Sequence, residues 1–318
     1  MDGARRRIIG AIAGALAFAS HRSGASKPLA RVAVLAGGGM IEEWRVEFAR
    51  HGHVEGQQIL LTLHDWGDDT AVLEDQARAI VAGRPQLICS VYTAPTLVLS
   101  RLTRDIAIVF FGAVDPDRVG LVDSLRAPGR NLTGVSNRFL ETVGKRLELL
   151  RELRPSARAL ALVIRKGSLW GTPVREAIAQ GASRLDLAVR DVVVAAKPDT
   201  GDLSEALRAT RADAFLPTDV AFDPVSWARI QADAGIPGLF NSGVNVRAGG
   251  LLSVGVALRD QIGRGVAIAA RILHGERPSR IPVDQAARIE NVINLRTAEA
   301  FGWKVPPATQ LHFTEIVK

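Results

Sequence analysis

Two acids follow apolar runs at points where a side chain can do chemistry. They are Asp115, in Phe110-Phe111-Gly112-Ala113-Val114-Asp115-Pro116, and Asp219, in Phe215-Leu216-Pro217-Thr218-Asp219. A carboxylate so placed can anchor an ammonium group, pair with a second carboxylate for hydrolysis, or cap a turn or helix. Ligand anchoring is the preferred reading, because no nucleophile, histidine base or metal set accompanies the pair. Capping stays open for both: Asp115 precedes Pro116, and Asp219 lies just before a helical stretch. Cys89 is the one cysteine, which excludes an intramolecular disulfide and a multi-cysteine metal cluster. Its apolar neighbours, Leu87, Ile88 and Val91, read as the surroundings of a buried, inert thiol. His51 and His53 have a metal-like spacing, yet they sit at a helix end with no third ligand in view. Gly37-Gly38-Gly39 suggests a phosphate-cradling turn but fits neither G-x-G-x-x-G nor G-x-x-x-x-G-K-[ST]. No catalytic residue, metal or cofactor is therefore expected, and the chain is not expected to be an enzyme.

The elements that hold these residues show as an alternation. Apolar runs at 31–37, 58–66, 86–92 and 107–112 read as strands, as do 159–165, 187–195, 214–219 and 238–243. The segments between them carry apolar residues at helical spacing. The strand runs are continuous rather than alternating, which marks strands covered on both faces. The expected fold class is α/β: two doubly wound lobes of mostly parallel sheet. The joins fall near Asn131–Ser136 and Gly249–Gly255, giving one lobe of 30–133 plus 254–283 and another of 134–250 plus 284–318. In open α/β sheets, ligands bind beyond the carboxyl ends of the strands. The residues there are Gly38 and Gly39, then Trp66, then Ser90, Tyr92 and Thr93, then Gly112, Ala113 and Asp115. The second half contributes Arg165, Ser168, Asp219, Phe222 and Asn241. Trp170 is a further aromatic at such an end. Small, hydroxyl, acidic and aromatic residues are what a site for a small polar solute needs.

The 318 residues suffice for two lobes, and 47% apolar with 23% charged content excludes a disordered chain. The net charge of +7 is spread thinly after Arg7, which reads as a solvated surface and not as a nucleic-acid interface. The N-terminus has the layout of a secretory signal peptide. Arg5, Arg6 and Arg7 precede the apolar stretch Ile8–Ala19, and Ala17-Phe18-Ala19 fits a cleavage site. An uncleaved anchor is the alternative. No cysteine follows the stretch to carry a lipid, so an exported, soluble protein is expected.

The run Asp115-Pro116 through Gly120-Leu121-Val122, Ser124-Leu125, Pro128-Gly129, Asn131 and Thr133-Gly134 carries a resemblance. So do Lys145–Pro155, Ala269–Val283 and Glu290–Pro307. In these stretches, and over roughly residues 30 to 318, the chain resembles the tryptophan/tyrosine-type substrate-binding proteins of ABC transporters. The resemblance implies a type I periplasmic binding protein fold with three crossover strands. It implies a monomer in the periplasm that captures a small polar solute, such as an amino acid or related amine or carboxylate. Partners would be a permease and an ATPase at the inner membrane. Asp115 and Asp219, with the Ser90–Thr93 end, are the implied ligand contacts. Two strand ends depart from the pattern. Glycines replace a serine after the first strand, and Arg165-Lys166-Gly167-Ser168 replaces an asparagine-rich turn, which allows a more anionic solute. A sensor for a membrane receptor and a secreted hydrolase using Asp115 and Asp219 are the alternatives.

Overall fold

A first parallel series is built by β1 (Ala30–Ala36), α1 (Ile41–Arg50), β2 (Ile59–Asp65), α2 (Thr70–Ala82), β3 (Leu87–Val91), α3 (Thr93–Leu102), β4 (Ala107–Ala113) and β5 (Leu132–Ser136). The computed structural model describes residues 28–36, 41–67, 69–168, 171–195, 198–218, 222–285 and 288–318. Gly38, Gly39, Trp170, Asp219 and the leader 1–19 lie outside them. A second series follows: α4 (Phe139–Leu153), β6 (Ala159–Arg165), α5 (Gly171–Ser183), β7 (Ala188–Val194), α6 (Thr200–Thr210), β8 (Ala214–Pro217), α7 (Pro224–Ala234), β9 (Leu239–Phe240), α8 (Gly243–Arg247) and β10 (Leu252–Val256). The chain closes with α9 (Leu258–Leu273), β11 (Asp284–Gln285), β12 (Ile289–Asn294), α10 (Leu295–Ala300), α11 (Pro307–Gln310) and β13 (Glu315–Val317).

The first sheet runs β11-β5-β4-β3-β1-β2, parallel throughout. Successive strand residues point to opposite faces, and here both faces are apolar. Val32, Val34, Cys89 and Phe111 share a buried cluster with Trp44 and Phe48 of α1 and Val266 of α9. Ala33, Leu35, Ile88 and Phe110 share another with Leu73 and Ala77 of α2 and Leu99 of α3. Covering on both sides is the reason the strand runs show no alternation. The second sheet has two parts, β7-β6-β8 and β9-β10-β12-β13, linked by a bridge between Phe215 and Gly238. Only the β10–β12 pair is antiparallel. Aromatic packing closes its outer face, with Phe215 5.7 Å from Trp227 and 5.8 Å from Phe240. Helix ends are set by local chemistry. The Asp223 carboxylate accepts from the Val225 and Ser226 amides at the start of α7, Pro224 enters the first turn, and Gly235 ends the helix left-handed.

The chain passes from the first sheet to the second after Ser136, returns after Val256, and crosses again after Gln285. The joins expected from sequence, Asn131–Ser136 and Gly249–Gly255, overlap β5 and β10. β5 stays paired with β4 from Leu132 to Ser136, and β10 with β12 from Leu252 to Val256, so each crossing waits for the strand to finish. A single buried cluster nevertheless spans both sheets, through Val114, Leu121 and Val122 on one side and Phe139 and Val143 of α4 on the other.

α4 also buries a cation. The Arg146 guanidinium lies 5.2 Å from the Phe139 ring and donates to the Leu239 and Thr142 carbonyls at 3.3 Å. Burial pushes its pKa down to about 9, which still leaves it charged at neutral pH. Among the described residues no group of three His, Cys, Asp or Glu side chains could hold a metal ion. His53 instead packs its ring 5.1 Å from that of His274. No described helix is long and apolar enough to cross a membrane.

Candidate functional site

The carboxyl ends of β3 and β4 form one wall, and most of its polar groups are spent on holding it together. Ser90 is fully buried, and the Thr96 hydroxyl lies 2.9 Å from Ser90 Oγ and 2.7 Å from the Tyr92 carbonyl. The Thr93 hydroxyl accepts from the Val114 amide at 2.9 Å, tying the start of α3 to the loop after β4. Tyr92 takes a φ of 69° and donates its amide to Phe111 at 2.8 Å. Its side chain is 46% exposed, the most open of the candidates on this wall. Gly112 has a φ of 72°, which favours glycine, and a Cβ there would meet the amide oxygen of Gln261, which would have to move aside. Ala113 is fully buried.

Asp115 behaves as a cap. Its Oδ2 accepts from the Leu140 amide at 3.1 Å, in the first turn of α4 and across the first chain crossing. Burial raises its pKa above the ordinary carboxylate range, with the Leu140 hydrogen bond opposing. The capping reading left open by Pro116 is thus what the described contacts of Asp115 support.

The second wall is the carboxyl end of β6 with its following turn, and the ends of β8 and β9. Arg165 ends β6 with only 5% exposure, and its guanidinium carbon stands 6.0 Å from the centroid of the Trp66 ring at the end of β2. This is where candidates from the two sheets meet. Ser168 sits in the turn after β6, its amide donating to the Arg165 carbonyl at 3.1 Å. Phe222 packs edge-on to Trp227 at 5.0 Å and so belongs partly to the core of the second sheet. Asn241 follows β9 and is exposed, and its carbonyl lies so close to Gly255 that a Cβ there would collide with it.

Two participants left no signal in the sequence. Gln261, on α9, is 5% exposed, donates to the Val256 carbonyl at 3.2 Å and fills the space beside Gly112. The first turn of α4 supplies the amide that holds Asp115. Both contacts join residues far apart in the chain, which spacing cannot reveal.

Comparison with known proteins gives a consistent picture. The family model described as "ABC transporter substrate binding protein" matches residues 48–309. A tyrosine-binding protein of Clostridioides difficile (strain R20291) is 23% identical over 252 residues, covering 78% of this chain and 72% of that protein. Among solved structures, a conserved domain protein from Vibrio cholerae superposes with a TM-score of 0.80 at 23% identity, covering 90% of this chain and 99% of the other. An ABC domain in complex with L-Trp from Streptococcus pneumonia also gives a TM-score of 0.80 at 19% identity, covering 91% and 100%. At these identities the solved structures speak for the fold, and the fold is that of type I periplasmic binding proteins. The family match covers most of the chain, and the chain belongs to the ABC transporter substrate-binding proteins, whose role is to bind a solute.

Proposed function

We propose that this protein captures a small polar solute between its two lobes by hinge closure and hands it to a permease with its ATPase. In this reading the lobes follow the sheets: 30–136 with 258–285, and 139–256 with 289–318. The three crossings act as the hinge. The observation that carries the reading is the meeting of Trp66 with Arg165, which brings the carboxyl ends of both sheets around one point. The site then comprises the strand ends named above, Asp219 and the glycines 38 and 39 included. The protein would be non-catalytic, monomeric and exported to the periplasm after loss of its leader. The names of its relatives put tyrosine and tryptophan first among the solutes to try.

The test is thermal melting together with small-angle scattering of the protein against amino acids, amines, small carboxylates and sugars. A solute at a hundred times its dissociation constant adds about 2.7 kcal/mol of stability. Closure would shrink the radius of gyration in the same samples. A panel that moves neither quantity would overturn the reading.

A further inference from the structure

The turn after α1 carries a group that solute capture does not use. His53 lies there, just before β2 and so at the amino edge of the first sheet, away from the cleft. It is 8% exposed, and its amide donates to the Phe48 carbonyl at 2.9 Å. Its ring stands 6.4 Å from the Phe48 ring and 5.1 Å from that of His274. His274 closes the last turn of α9, with its Nδ1 2.8 Å from the Ala270 carbonyl. A carbonyl only accepts, so that nitrogen carries a hydrogen. The two rings thus join the far ends of helices that share one buried cluster, Trp44 and Phe48 with Ile268 and Ala269. α9 starts at the second crossing, so the pair bears on how firmly that helix is held to the first lobe.

The surroundings suit a neutral imidazole and not a charged one. His53 Nε2 is buried and finds no partner among the described residues. An imidazolium carries hydrogens on both nitrogens, so a charged His53 would bury a donor with no acceptor there. The ionisable groups at the end of α1 are Glu47, Arg50 and His51, and Glu47 lies 2.8 Å from Arg50 and 3.7 Å from His51. Glu55, further along the turn, pairs with Arg45. At the end of α9 stand Arg271, His274, Glu276 and Arg277, and Glu276 pairs with Arg271 at 2.6 Å. Burial, then the charges of His274 and His51, holds the His53 pKa below the ordinary imidazole value.

We propose that His53 and His274 form an acid-released clasp between α1 and α9. While both rings are neutral they pack, and the helix ends stay together. A proton on His53 adds a buried donor without an acceptor, and a second on His274 adds like-charge repulsion across the same contact. The unfolded chain takes up the His53 proton more readily than the folded one. The clasp's share of stability is therefore complete above the ordinary value of about 6.5 and is lost as pH falls through the lowered one.

Urea unfolding of the full chain from about pH 8 to about pH 5 tests this, with wild type, His53→Phe and His274→Gln. His53→Phe keeps a ring and cannot titrate. The folding constant of wild type is expected to fall against that of His53→Phe by up to about tenfold for each pH unit below the ordinary value. His274→Gln removes the facing charge and should show a smaller loss than wild type. Hydrogen exchange of wild type over the same range should lose protection at 46–54 and 268–276 before the strands of the cleft walls. If His53→Phe does not fold, NMR titration of the wild-type histidine rings decides, with His53 expected below the ordinary value. Parallel pH curves for wild type and His53→Phe, a His53 titration at or above the ordinary value, or protection lost first at the cleft walls would each overturn the clasp. No readout involves a solute, so the clasp and solute capture stand or fall separately.

Discussion

Asp115 spends a carboxylate oxygen on the backbone of α4, and that hydrogen bond ties the loop after β4 to the helix that follows the first crossing. Asp115→Ala should therefore cost about 0.5–2 kcal/mol of stability, the usual worth of a helix cap, while Asp115→Asn keeps an acceptor and stays near wild type. Urea unfolding measures both. Acidity sharpens the comparison. Burial raises the folded pKa of Asp115 above the ordinary carboxylate value, so its stabilising share is complete in acid and is lost as pH rises through the raised value. Asp115→Asn, which does not titrate, should gain on wild type as pH rises from the ordinary carboxylate value through the raised one. A gap that stays constant with pH would mean that the carboxyl is not buried in solution.

At the scale of elements, α4 carries the clearest anomaly. Arg146 is fully buried, with two long hydrogen bonds to carbonyls and an aromatic ring beside it, and among the described residues no carboxylate pairs with it. The desolvation of such a cation is expensive, and apolar residues of similar volume often replace buried charges at no loss. Arg146→Met should leave stability equal or raise it, whereas Arg146→Ala should lower it by about 2–5 kcal/mol through the cavity it leaves. Chemical denaturation of the two variants decides, and a large loss in Arg146→Met would show that the carbonyl hydrogen bonds matter more than the charge. The elements themselves were unevenly legible. β1 to β4 could be read from continuous apolar runs. β11, of two residues, and the short helix α8 could not be read, because pairing with a distant strand makes the former and too few turns exist to show a period in the latter. At the site, Trp66 and Arg165 could each be placed at a strand end, but their meeting depends on how two sheets face each other. The capping of α4 by Asp115 and the packing of Gln261 on Gly112 were hidden because each joins residues far apart in the chain.

The two sheets share one buried cluster and each also keeps one of its own. The shared cluster runs from Leu73 and Ile88 through Val114, Leu121 and Phe139 to Leu147 and Leu160, beside a cluster around Trp44 and Phe111 on the first sheet and one around Phe215 and Trp227 on the second. A single calorimetric transition is therefore expected, with calorimetric and van't Hoff enthalpies in agreement. Two resolved transitions would show that the bridge through Phe139 is too thin to couple the lobes. Closure, on the proposed function, must then occur by movement about the crossings without opening this cluster.

The one cysteine offers a use of its own. Cys89 is buried at the centre of the first sheet, hydrogen-bonded into strands on both sides, and its surroundings hold the thiol firmly protonated. A thiol-reactive dye can reach it only when β3 is exposed. Labelling kinetics on the unaltered protein thus form a built-in clock for the opening of the first sheet. A bound solute that clamps the lobes should slow that clock, so a mixture of unidentified solutes can be screened by the rate of dye uptake alone.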